Sequence, residues 1–159
     1  METKNLNKWI SKQRKKNLMK STKTDILDVS NWIIDKKKIY HQSKSFFSIV
    51  PFMFQDKKKK KWFQPLIIQK EIGILGILKK KQKSKDYYLL QAKVEPGNNN
   101  GVQLSPTVQA TKSNYLQKHG GKKTNYLNYF INKRFYNKTI SNLKLSEQGT
   151  RYLEKTNKN

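Results

Sequence analysis

The sequence predicts an α+β fold, with a twisted mixed sheet in the middle of the chain and helices flanking it. Three observations carry that prediction. Short apolar and aromatic runs between residues 39 and 95 are bounded by turn residues, which is strand patterning. Helix signals stand toward both ends, with Asp25 ahead of Ile26 and with Ser146–Glu147 ahead of Tyr152. Three Trp, eight Tyr and seven Phe among 159 residues argue against wholesale disorder. A chain of this length reads as one domain and removes roughly 68–70% of its unfolded surface from water.

The elements follow in order. Residues 1–23 form a basic segment ahead of a module spanning 24–159. In that segment Leu6, Trp9 and Ile10 fall at helical spacing, which fits a docked helix or a solvated tail. Residues 25–34 read as a short helix capped by Asp25, with Ile26, Val29 and Ile33 on one face. Residues 39–54 are strand-like, and the lysine run 57–61 is an exposed turn. Residues 66–78 and 87–95 read as a hairpin turned by 79–86. Gly73 and Gly76 mark a bulge or a close backbone approach. In the second strand Tyr88, Leu90, Ala92 and Val94 share one face, and Tyr87, Leu89, Gln91, Lys93 and Glu95 share the other. The segment PGNNNG, residues 96–101, must turn. Residues 102–119 begin extended and end helical, Gly120–Gly121 break the chain, 126–131 is a further apolar piece, and 146–155 is a closing helix.

Net charge is +25, which invites a nucleic-acid reading. Yet only Arg14, Arg134 and Arg151 among the 35 basic residues are arginine, the preferred bidentate reader of phosphate and guanine. An AT-rich coding sequence favours lysine without selection for charge. The distribution of lysine says more than its amount. Residues 87–117 contain only Lys93 and Lys112, although most of that stretch is polar. Where a lysine-rich chain uses Gln, Asn, Ser and Thr instead, it needs neutral hydrogen-bonding groups of fixed shape. With no Cys there is no disulfide framework. The start is too charged for a signal core, and the longest apolar run, Ile72 to Leu78, is far short of the roughly 20 residues of a membrane helix. These features predict a cytoplasmic protein.

Standard site motifs are absent, and two histidines, His41 and His119, exclude a multi-histidine metal site. Three features carry candidate chemistry. Trp62-Phe63-Gln64-Pro65 offers a stacking platform with Gln64 as hydrogen-bonding partner, although core packing of Trp62 is the stronger reading on the residues alone. Glu71 and Glu95 are candidate general bases, and neutralisation by lysine is the competing explanation. Gln91, Gln103, Ser105, Thr107, Gln109, Thr111, Ser113 and Asn114 form a neutral polar set. If the chain is extended, 103, 105, 107, 109 and 111 share a side. His119, beside two glycines, is a candidate for a mobile group able to titrate near neutrality, and an exposed loop histidine is the commoner explanation.

The segments WFQPLIIQKEIGILGIL (62–78), QAKVEPGNNNGVQLSPTVQATKSNYLQKHGGKKTNYLNYF (91–130) and LSEQGTRYLEKTNKN (145–159) resemble the NDP-hexose 2,3-dehydratase family, and HQSKSFF (41–47) does so more loosely. The resemblance implies one Nudix-like module, the N-terminal one, of a two-module, dimeric hydro-lyase in deoxysugar biosynthesis. It implies a dTDP- or other NDP-4-keto-6-deoxy sugar as substrate, no metal and no cofactor. A second module or a homodimer partner completes the catalyst, and the chain alone is marginal. No membrane is involved. A basic RNA- or ribosome-binding protein and an inactive remnant are the alternative readings. The expected catalytic residue is Glu95 or His119. The expected substrate-binding set is Gln64, Glu71, Gln91, Lys93, Gln103, Thr107, Gln109, Asn114 and Tyr115.

Overall fold

The computed structural model describes residues 3–17, 19–118, 120–135 and 138–159. It divides into two compact units, each made of three chain segments. The secondary structure is α+β, with antiparallel and mixed sheets and few helices. Among the described residues no helix is long and apolar enough to cross a membrane.

One unit holds residues 1–23, 75–109 and 125–137. Its first element is α1 (Thr3–Lys16), which packs on a later strand. Ile10 is buried, and Arg14 Nε donates to the carbonyl of Val102 at 3.3 Å, so the basic segment is a docked helix. The hairpin expected from 66–95 is shorter than predicted. It consists of β6 (Leu78–Gln82) and β7 (Lys85–Leu89), closed by a turn in which Lys83 has φ 53°. The chain breaks at Leu90 and restarts as β8 (Gln91–Val94), paired antiparallel with β9 (Val102–Ser105). The predicted turn at 96–101 joins them. Gly101 there takes φ 73°, and a Cβ on it would lie 2.3 Å from Nδ2 of Asn17. The 126–131 piece contains a single helical turn, α3 (Asn128–Ile131), with Leu127 buried beside it.

The other unit holds residues 24–74, 110–124 and 138–159. The helix predicted over 25–34 is absent. Asp25 does accept from the Leu27 amide at 2.8 Å, but the turn it caps covers only Ile26–Asp28. Asn31 then takes φ 65° and breaks the path, after which Trp32–Ile34 forms β1 against β2 (Ile39–His41). The aromatic and β-branched side chains there fit a pleated surface better than a helix. Strand β3 (Ser48–Gln55) pairs over its whole length with β4 (Lys61–Ile68). The lysine run turns between them, tied where Asp56 accepts from the Lys60 amide at 2.9 Å. Trp62 does not pack in the core: it is 43% exposed and stacks on Phe54 with ring centroids 5.6 Å apart.

The closing helix predicted over 146–155 is likewise absent. Lys144–Ser146 is a strand, the chain turns around Gln148–Tyr152, and Thr156–Lys158 is the last strand. In chain order, β5 is Gly73–Gly76, β10 is Val108–Ala110, and the two closing strands are β11 and β12. The sheet order is β10-β5-β12-β11. Asn157 pairs with Gly73 in parallel register, and β11 runs antiparallel to β12, so this sheet is mixed. The helix signal failed because the chain turns at Gln148 and its backbone at Arg151 and Leu153 bonds to Ile67 of β4, while β12 beyond it pairs with β5 and β11.

The two glycines marked in the sequence are both close approaches. A Cβ on Gly73 would lie 2.7 Å from Oδ1 of Asn157, and one on Gly76 would lie 2.0 Å from the Phe130 ring. Gly76→Ala must displace a rigid ring and is expected to destabilise the chain by about 1–3 kcal/mol. Gly97→Ala meets no atom within 4 Å and is expected to fall within about 0.5 kcal/mol of the parent. Urea unfolding of the two variants checks the pair, and equal midpoints would refute the close-packing account.

Candidate functional site

The register of β8 and β9 sets the first cluster. Gln91 lies opposite Ser105, and Lys93 lies opposite Gln103. Side chains alternate along each strand, so these four share one face, and Glu95 continues it. Ala92, Val94, Val102 and Leu104 take the other face. The division predicted for residues 91–95 is therefore realised on a shorter strand.

Much of that polar face is joined to the segment that follows β9. The Gln91 amide donates to the carbonyl of Thr107. Lys93 Nζ donates to the carbonyl of Gln109 at 3.0 Å and pairs with Glu95 at 3.1 Å. Ser105 Oγ donates to Oε1 of Gln109 at 3.1 Å. Thr107 is fully buried: its hydroxyl donates to the Leu89 carbonyl and accepts from the Leu78 amide at 2.8 Å. The anticipated one-sided row from 103 to 111 does not form. Gln103 is exposed while Ser105 and Thr107 are buried, because the strand breaks at Pro106–Thr107 and resumes at Val108. Gln103 and the half-buried Glu95 remain the parts of the face most open to solvent.

The second cluster lies in the other unit and centres on Glu71. Its Oε2 accepts from the Ser113 amide at 3.1 Å and from the Ser113 hydroxyl at 2.7 Å. Ser113 belongs to α2 (Lys112–Tyr115), whose N-cap residue, Thr111, makes no side-chain cap of its own. Glu71 supplies the missing acceptor from a distant part of the sequence. Desolvation pushes the Glu71 carboxyl upward. The bonds from Ser113 and Thr111, with the charge of Lys118, together outweigh it and hold the group below the usual carboxylate range. Lys155 is 5% exposed, and its ammonium donates to the main-chain carbonyl of Glu71. Burial pushes the lysine down, and the charges of Glu71 and Glu147 offset part of that. Asn157, also buried, accepts from the Gly73 amide at 3.2 Å and donates to Glu147 at 2.6 Å.

Of the other predicted site residues, Gln64 donates its side-chain amide to the carbonyl of Thr150. Asn114 is exposed on α2 and Tyr115 is half-buried beside it. His119 lies outside the described residues. Sequence reasoning missed Lys155, Asn157 and Glu147. A lysine carries no signal in a chain where lysine is everywhere, Glu147 stood inside the mistaken closing helix, and Asn157 stood in the short polar end beyond it. Among the described residues no group of three or more His, Cys, Asp or Glu side chains is placed to hold a metal ion.

The fold and these clusters define an α+β protein with a polar strand face that carries Gln91, Lys93, Gln103 and Ser105. The family can be stated directly. Residues 3–159 match the family model described as NDP-hexose 2,3-dehydratase, and the chain belongs to that family. It is 36% identical to the dTDP-4-dehydro-6-deoxy-alpha-D-glucopyranose 2,3-dehydratase of Amycolatopsis orientalis, over 100% of this chain and 36% of that protein. Against the proteins of the same description from Streptomyces violaceoruber and Saccharopolyspora spinosa, identity is 35% and 36%. These matches cover 99% and 95% of this chain, and 37% and 32% of the relatives. The chain thus spans about a third of the length of the curated relatives it matches.

The depressed Glu71 carboxyl has a consequence for pH. A group whose folded pKa lies below its unfolded value stabilises the fold above the unfolded pKa, and that contribution is lost as pH falls through the folded one. Glu71→Gln is expected to cost on the order of 1–3 kcal/mol near neutrality. It should also flatten the acid limb of the stability profile, so that the two curves converge at low pH. Urea unfolding from pH 7 down to pH 3 checks this, and parallel curves would refute it.

Proposed function

We propose that this chain is a Nudix-like module of a cytoplasmic sugar-nucleotide 2,3-dehydratase, acting on a dTDP- or other NDP-4-keto-6-deoxyhexose. Family membership supports the reaction class. The observation that carries the reading to a surface is the β8–β9 face, where Gln91, Lys93, Glu95 and Gln103 stand together in a stretch cleared of other lysines. Neutral amides suit sugar hydroxyls, and the single ammonium there is already paired with Glu95.

The chemistry needs few groups. A C4 ketone acidifies the proton at C3. A general base removes that proton, the enolate expels the C2 hydroxyl as water after proton donation, and the enol tautomerises to a 3,4-diketone. We assign the base to Glu95 or His119. Gln103 and Gln109 are contacts to the substrate, and Gln91, Lys93 and Thr107 hold the face in shape. In the other unit the contacts assigned are Gln64, Asn114 and Tyr115, while Glu71 supports α2.

We further propose that a second module, or a partner subunit carrying one, covers part of this chain. Obligate interfaces bury roughly 2,000–5,000 Å². Met53, Trp62 and Phe63 in one unit and Tyr87, Tyr88 and Leu104 in the other are large exposed apolar side chains of the kind such an interface covers.

Titration of the chain with dTDP and, separately, with single-stranded RNA at physiological salt tests the ligand class. Saturable dTDP binding is expected. Salt-sensitive RNA binding without dTDP binding would overturn the reading. In the chain assembled with the remainder of the enzyme, replacing the true base should lower kcat by roughly 10²–10⁴-fold. If neither Glu95→Gln nor His119→Ala lowers turnover, neither residue is the base.

A further inference from the structure

We infer that Lys155, together with Asn157, grips the segment Glu71–Gly73 so that the Glu71 carboxylate fixes α2, making Lys155 the residue that positions Asn114 and Tyr115. This rests on the reading that Asn114 and Tyr115 contact the sugar nucleotide.

The argument begins with the weakness of α2. It has four residues, and helices shorter than about 12–15 residues are marginal without tertiary support. Its first turn has amides to satisfy and no cap from Thr111. Glu71 accepts both the amide and the hydroxyl of Ser113, and Ser113 is itself buried. The helix is therefore held in place by one carboxylate.

That carboxylate must in turn be aimed. Residues 69–72 lie between β4 and β5 and belong to no strand. Two side chains from the end of the chain hold this segment by its main chain. Lys155 donates to the carbonyl of Glu71, and Asn157 accepts from the amide of Gly73. Asn157 is fixed by its own bond to Glu147 and by parallel pairing with Gly73. Lys155 is the one lysine found buried among the described residues, in a chain that otherwise places lysine at the surface. A buried ammonium loses its hydration, so its retention here marks a position where a long donor has a specific acceptor to reach.

The test uses the full chain, ¹⁵N-labelled, with dTDP as probe. In Lys155→Met, the Ser113 amide resonance is expected to move away from its hydrogen-bonded position. Resonances of the β3–β4 ladder, such as Val50 and Leu66, should stay in place. The affinity for dTDP should fall ~10-fold or more. Glu71→Gln should move the same Ser113 resonance and weaken dTDP by a similar factor, because both act on one link. Lys155→Arg, which keeps a cation and donors, should restore the Ser113 resonance toward that of the parent. An unchanged Ser113 resonance in a folded Lys155→Met chain would overturn the inference. So would a shifted resonance with unaltered dTDP affinity. If Lys155→Met does not fold, Lys155→Gln decides the matter by the same two readouts. If the parent chain fails to bind dTDP at all, the functional reading fails, while the Ser113 resonance still decides whether the grip exists.

Discussion

The contact on which most of the second unit depends is the hold that the end of the chain takes on residues 71–73. Strand β12 pairs in parallel with the start of β5, and a parallel pair cannot be closed by a short hairpin. About eighty residues separate the two strands, so register has to be set by something other than a turn. Asn157 sets it. Its side chain reads the Gly73 amide, and its neighbour Lys155 reads the Glu71 carbonyl. Gly73 is required because a Cβ there would meet both Oδ1 of Asn157 and the carbonyl of Ala110. A polar side chain that bonds directly to the main chain of an adjacent strand fixes register in a way an apolar contact does not.

The same logic runs through the first unit. Its three largest fully buried side chains are Val102, Val108 and Thr107, and one of those is polar. Thr107 links the end of β7 to the start of β6 through its hydroxyl, and Gln91 reaches its carbonyl. Buried polar groups with every partner in place make a rigid network, and removal of any member leaves an unsatisfied group behind. With 35% hydrophobic residues the chain cannot rely on apolar burial alone, and networks of this kind supply part of the specificity.

Local patterning was legible wherever the signal was local. The turn at 57–61, of which Lys61 opens β4, the turn at 96–101 and the two faces of residues 91–95 could be read from residue type and spacing, whereas the spacing around Ile10 left a docked helix or a solvated tail and Gly73 and Gly76 left a bulge or a close approach. What could not be read were elements decided by distant partners. Residues 25–34 and 146–155 carry helix-start residues and apolar spacing, yet the first gives way to pairing with β2 and the second to a turn and a bridge between Tyr152 and Ile67. Sheet pairing overrides propensity because it satisfies a whole line of backbone groups at once. Trp62 illustrates a different failure. Aromatic residues are usually buried, but Trp62 stands at the open end of the hairpin side that carries Leu66 and Phe52, where it covers Phe54 and stays 43% exposed.

The scarcity of lysine between residues 87 and 117 has two physical causes, and separating them changes which residues matter for a ligand. Part of it is internal. The carbonyls of Thr107 and Leu89 are reached by the Gln91 amide and the Thr107 hydroxyl, donors held on short side chains. A lysine at Thr107 would have to bury a charge beside Val108. These positions shape the face without needing to touch a ligand. The remainder is external. Gln103 is exposed directly opposite Lys93, and Glu95 holds that lysine in place. There a second flexible cation would compete with Lys93 for the one carboxylate nearby. Neutral groups at Gln103 leave the face able to offer amide hydrogen bonds, with its only ammonium already directed. A surface intended for phosphate chains would gain from added lysine at those same exposed positions. Its exclusion there, in a chain of net charge +25, is what a face meeting the hydroxyl-bearing part of a ligand would show, and not what a long polyanion such as RNA would select.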